Sequence, residues 1–188
     1  MKRRLIEYNA PVTLSFVFLS LAALLLGYLT GGASTRLLFS VYRCSLLDLL
    51  GYPRLLLHVL GHASFAHFSG NITLLLVLGP NLEERYGSRT ILFAVLLTAF
   101  ISGLAQWLFF PNAALLGASG IVFMMILMAS LGGSRGSGIP LTLILVFLIY
   151  IGGEVVKGVG AQDNISQLTH VIGGLCGTVL GVGLRRGR

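Results

Sequence analysis

The chain has 188 residues, 55% of them hydrophobic and only 10% charged, and its mean hydropathy is +0.90. A soluble domain carries roughly 25% charged residues, so this composition excludes a water-soluble globule and describes an integral membrane protein. The net charge of +7 does not point to nucleic acid, because the Lys and Arg residues sit at the termini and in loops, where they set topology.

A membrane-spanning helix needs about 20 apolar residues. Apolar runs predict helices at about 11–30, 64–81, 90–110, 118–133, 139–156 and 166–185. The fold class is therefore an all-α polytopic membrane protein, one domain over residues 1–188 with six spans. Met1-Lys2-Arg3-Arg4 looks like the start of a signal peptide. The following run is too long for that, and no clear cleavage site follows, so it reads as a retained first helix. A long loop at about 32–62 comes next, with Arg36, Arg43, Asp48 and Arg54 among apolar pieces such as Leu46-Leu47 and Leu55-Leu56-Leu57. A loop of this length usually has structure of its own, and it is expected to lie partly in the interface. The fourth run is broken by Gly132-Gly133-Ser134-Arg135-Gly136, a turn signal. Cys44 falls in the loop and Cys176 in the last span, which argues against a disulfide between them.

Six spans place both termini on one side. With the N-terminus inside, Lys2, Arg3, Arg4, Arg85, Arg89, Arg135, Arg185, Arg186 and Arg188 are inside, against Arg36, Arg43, Arg54 and Lys157 outside. The excess of basic residues favours N-in and C-in. Spans two, four and six then all begin at the outer face. His67, Asn71, Ser119 and His170 arrive at one depth, as a shared site requires.

Each motif has two readings. Gly117-x-Ser119-Gly120 allows a tight helix entry with free N–H groups, or is a small-residue packing motif. His170-x-x-Gly173-x-x-x-Gly177 puts a histidine on a glycine stripe. It would either reach a serine on the neighbouring helix or bond a carbonyl in a tight helix pair. In His62-x4-His67-x3-Asn71, His67 and Asn71 share a helix face, whereas His62 is about 140° away around the helix. That spread argues against a metal site; the pair suits an oxyanion hole or polar glue between helices. His58 reads as interfacial, and Trp107 and Tyr150 as interface anchors. Spans one and three read as almost wholly apolar.

Taken in order, His62-x4-His67-x3-Asn71, Glu83-x3-Gly87, Gly117-x-Ser119-Gly120 and His170-x2-Gly173-x3-Gly177 resemble the rhomboid intramembrane serine proteases, over about Arg54 to Gly181. The chain is similar to a compact six-helix prokaryotic member in a bacterial or archaeal plasma membrane. The resemblance implies Ser119 as nucleophile and His170 as general base. The Ser119 N–H, His67 and Asn71 would hold the oxyanion, with Gly117, Gly120, Phe123, Gly173 and Gly177 in support. It also implies Glu83 as a loop-fixing residue, a membrane-embedded first loop, and a substrate gate at span five and residues 153–165. Substrates would be single-pass transmembrane proteins cut near the outer face. No cofactor, metal or nucleic acid is implied, and the other partner is the lipid bilayer.

There are departures. Pro53-Arg54 stands where many members have Trp-Arg, Phe123 where some have tyrosine, and Met124-Met125-Ile126-Leu127-Met128 where members often place a glycine. A catalytically inactive relative that binds transmembrane helices is the alternative reading, against which stand the intact Ser119 and His170. A transporter would need an internal repeat or a continuous polar lining, and neither is seen.

Overall fold

A computed structural model describes residues 8–133 and 164–186, together with Leu141, Ile144, Leu145 and Leu148. Among the described residues, four long helices and two short ones precede the final helix: α1 Pro11–Leu29, α2 Ala33–Leu38, α3 Gly51–Leu57, α4 Phe65–Tyr86, α5 Ser88–Phe109, α6 Ser119–Gly133 and α7 Asn164–Arg186. A 3-10 turn, His58–Leu60, continues α3. Among the described residues the sole β-type pairing is an isolated antiparallel bridge between Val41 and Leu115. The expected span at 139–156 and the gate at 153–165 lie outside the described residues, apart from Asn164 and Ile165 at the start of α7 and four helical positions with lipid-type exposed side chains, Leu141, Ile144, Leu145 and Leu148.

Two of these helices, α1 and α5, are by themselves long and apolar enough to cross a membrane. α4 qualifies only together with Gly51–Leu60, from which it is bent by 76°. The apolar parts of α6 and α7, Ser119–Leu131 and Thr169–Leu184, are shorter. Fifteen residues rise about 22 Å, less than a bilayer core of about 30 Å.

Burial explains why α6 can be short. Every residue from Gly120 to Met128 is buried, and a helix that is apolar all round belongs in an interior. The helices around it show the opposite pattern: Phe18, Leu25 and Leu29 on α1 and Phe93, Phe100 and Phe109 on α5 are exposed, as lipid-facing side chains are. The core is the set of side chains packed around α6, including Phe68, Leu75, Ile91, Val95 and Ile172.

The start of α1 has no capping side chain of its own. Glu83, near the end of α4, supplies one. Its Oε1 accepts from the N–H of Thr13 and from Thr13 Oγ1, both at 2.7 Å, and its Oε2 accepts from the N–H of Val12 at 3.1 Å. A carboxylate here satisfies orphan donors and meets the positive end of the helix dipole. Glu83 is buried at this contact, while Glu84 and Arg85 beside it are exposed. The contact also explains why α4 runs about a turn beyond the expected end at 81.

The long loop is built around Arg54, which is 3% exposed. Its Nε donates to the Leu37 carbonyl at 2.7 Å, its Nη1 pairs with Asp48 at 2.9 Å, and its guanidinium lies 4.6 Å from the Tyr42 ring centroid. Leu46, Leu47, Leu49, Leu50 and Tyr52 are all exposed, a continuous apolar rim suited to the membrane interface.

Candidate active site

α4 begins where Ser64 accepts the His67 N–H on its side-chain oxygen at 3.1 Å. This cap fixes His67 and Asn71 in the first two turns. α6 begins at Ser119, preceded by Ala118, which has no side-chain oxygen to cap a helix; the Val122 N–H bonds the Ala118 carbonyl at 2.9 Å. The first-turn N–H groups at Ser119 and its neighbours therefore have no side-chain acceptor from the preceding residue.

The turn leading into Ser119 is held from two sides. Val41 and Leu115 exchange N–H···O bonds of 2.9 Å, and the Gly117 N–H donates to the His58 carbonyl at 2.9 Å. Gly117 has φ +120°, a conformation that L side chains rarely adopt. A Cβ there would stand 2.7 Å from Cε1 of His67. The imidazole of His67 thus packs directly on the turn that presents Ser119.

α6 and α7 form the most extensive helix pair among the described residues. A Cβ on Gly173 would run into the carbonyl oxygen of Gly120, and one on Gly177 into that of Met124. A Cβ on Gly120 would stand 2.7 Å from Cγ2 of Thr169. The neighbours of Ser119 and His170 are therefore in backbone contact, with α7's glycines making up for the methionines of α6. His170 is 1% exposed, and its ring centroid lies 5.9 Å from that of Phe123, tilted by 52°.

Asn71 is buried, and its Nδ2 has no hydrogen-bond partner among the described residues. A buried amide donor left unmade costs free energy, so a site that uses it gives the group a reason. His62 is buried in the loop ahead of α4, outside the spanning helices. Its Nδ1 sits 3.1 Å from the Leu60 carbonyl, and its ring stands edge-on to His67 with centroids 5.1 Å apart. Burial first, and the neighbouring His67 second, push its pKa down from 6.5 to about 4, so the ring is neutral and props His67 without adding charge. Among the described residues no three His, Cys, Asp or Glu side chains gather as a metal site requires. Both cysteines are free thiols, Cys176 buried and Cys44 half-buried.

Behind the turn lies a polar group that the sequence reading passed over. Thr98, Ser102 and Gln106 form a stripe at spacing four on α5, and all three are buried, which corrects the reading of this span as almost wholly apolar. His58, expected at the interface, is fully buried among them. Its Nδ1 is 3.2 Å from the Arg54 carbonyl and its Nε2 is 3.4 Å from Ser102 Oγ. Gln106 Nε2 donates to the Ala113 carbonyl at 3.0 Å, tying α5 to the loop before Ser119. The i, i+4, i+8 spacing of these side chains was the available signal.

Residues 51–187, most of the chain and the span that holds His67, Asn71, Ser119 and His170, match the family model of the rhomboid domain. No curated protein matches the chain.

Proposed function

The chain belongs to the rhomboid family, and from that premise we propose that it is an intramembrane serine endopeptidase, cutting single-pass transmembrane proteins near the outer membrane face. The observation that carries the reading is the α6–α7 crossing. Glycines bring the backbones beside Ser119 and His170 into contact, while His67 packs on the Ser119 turn from the other side.

In this scheme His170 takes the proton of Ser119 Oγ as the oxygen attacks the scissile carbonyl. The oxyanion is held by the Ser119 N–H and the side chains of His67 and Asn71. Collapse of the tetrahedral intermediate releases the amine, protonated by His170, and leaves an acyl-enzyme on Ser119. His170 then activates water to hydrolyse the ester. The buried Ser102 hydroxyl and Gln106 amide, linked to the Ser119 turn through His58 and Ala113, offer that water hydrogen-bond partners inside an apolar molecule. The same scheme takes six spans with both termini inside.

Purified protein should label with a serine-directed fluorophosphonate probe and cleave a reporter transmembrane substrate, and Ser119→Ala should lose both. Cleavage that survives in pure Ser119→Ala protein sinks the dyad. A wild-type protein that binds the reporter without labelling or cutting it is an inactive, helix-binding member.

A further inference from the structure

On the Ser119 side of the molecule lie two neighbouring clefts that the proposed chemistry does not use. The first, of about 350 Å³, is polar and lies between the long loop and the α5–α6 loop; Arg36, Ser40, Tyr42 and Arg43 face Asn112 and Ala113 across it. The second, of about 130 Å³, runs along α5 and is walled by Leu46, Tyr52, Leu55, Leu104 and Trp107. The two are linked by one contact, for the Arg43 guanidinium of the first lies over the Trp107 ring of the second, 5.6 Å from its centroid. A cation over an aromatic face is held by the ring, and its edge N–H groups stay free to bond an acceptor.

The charge here is unbalanced. Arg36 and Arg43 are exposed, and no carboxylate pairs with either among the described residues. Asp48 borders the apolar cleft, but its oxygens are taken by Arg54 and by the Leu50 N–H at 3.1 Å. A pair of guanidiniums beside hydroxyl and amide groups matches a phosphate. An apolar trough beside them, on a loop with a rim of exposed leucines, matches an acyl chain. An anionic phospholipid carries both parts in one molecule.

We propose that this composite groove binds an anionic phospholipid, its phosphate between Arg36 and Arg43 and one acyl chain along Trp107. The site reaches the proposed chemistry through a short path. Val41, beside Tyr42 on the groove, is bridged to Leu115, two residues before Gly117. A bound lipid therefore ties the long loop to the segment that presents Ser119.

The protein carries its own reporter, since Trp107 is its sole tryptophan. The test reconstitutes the full chain in phosphatidylcholine bilayers containing a small fraction of either brominated phosphatidylglycerol or brominated phosphatidylcholine, and reads quenching of Trp107. This readout is independent of cleavage, so it stands or falls apart from the protease reading. Brominated phosphatidylglycerol should quench at a lower mole fraction, with a preference of about five-fold for each arginine, the strength expected of one basic side chain beside anionic lipid. Arg36→Gln with Arg43→Gln should abolish the preference at unchanged helix content, and the paired lysine substitutions should keep most of it. Equal quenching of the wild type by the two lipids overturns the proposal without any variant. So does a preference that survives in the folded double glutamine variant.

Discussion

Asn71 separates two roles that a polar residue inside a membrane helix can have. As glue between helices it would stabilise the fold. As an oxyanion donor it would be held without a ground-state partner. Its Nδ2 has no partner among the described residues, although the residue is buried, which favours the second role. Asn71→Ala should therefore lower kcat about 10²–10³-fold, the usual worth of one such donor, with the thermal midpoint in detergent held or raised. Loss of stability in step with loss of activity would return Asn71 to the role of glue. Residues of this kind were readable from the sequence because a polar group in an apolar helix is expensive and stands out. Arg54 and His58 were not, because their meaning lies in partners that the sequence does not place beside them. Arg54 is aimed at the Leu37 carbonyl, and His58 is covered by Ser102 and accepts the Gly117 N–H on its carbonyl.

At the scale of elements, helix identity followed from apolar runs, and most ends fall within two or three residues of expectation. α4 is the exception, and the reason is tertiary. Glu83-Glu84-Arg85 looks like a solvated terminus until α1 is laid against it, 70 residues away in sequence, and the Glu83 carboxylate becomes the missing cap of α1. The two helices meet closely here, for a Cβ on Gly79 would collide with the Thr13 side chain. Glu83→Gln keeps the shape but removes the charge facing the α1 dipole. It should cost about 1–2 kcal/mol, toward the upper end for a partly buried charge at a helix terminus. A fall of about 2–8 °C in the midpoint follows for a chain of this size, with probe labelling of Ser119 retained below the transition. An unchanged midpoint would mean that the α1 start is satisfied by other means.

At the scale of the molecule, the contacts fix relative direction, and the distribution of basic residues supports a polarity. Glu83 at the end of α4 meets Thr13 at the start of α1, so these ends share a side. His67 at the start of α4 meets Gly117, and Gly120 meets Thr169, so α4, α6 and α7 begin together on the opposite side. Arg85 and Arg89 lie on the α1-start side, as does the basic end of α7 at Arg185 and Arg186, and we propose from the bias of basic residues that this side is the cytoplasmic one. On that proposal the Ser119 turn faces outward, without any appeal to the segment around 139–156. Asn112 and Glu84 are exposed at the two ends. In a Cys44→Ser background, Asn112→Cys should react with a membrane-impermeant maleimide in intact cells, and Glu84→Cys only after permeabilisation. The reverse pattern would put the Ser119 turn in the cytoplasm and move the expected cleavage position to the inner face, while leaving the helix contacts as they are.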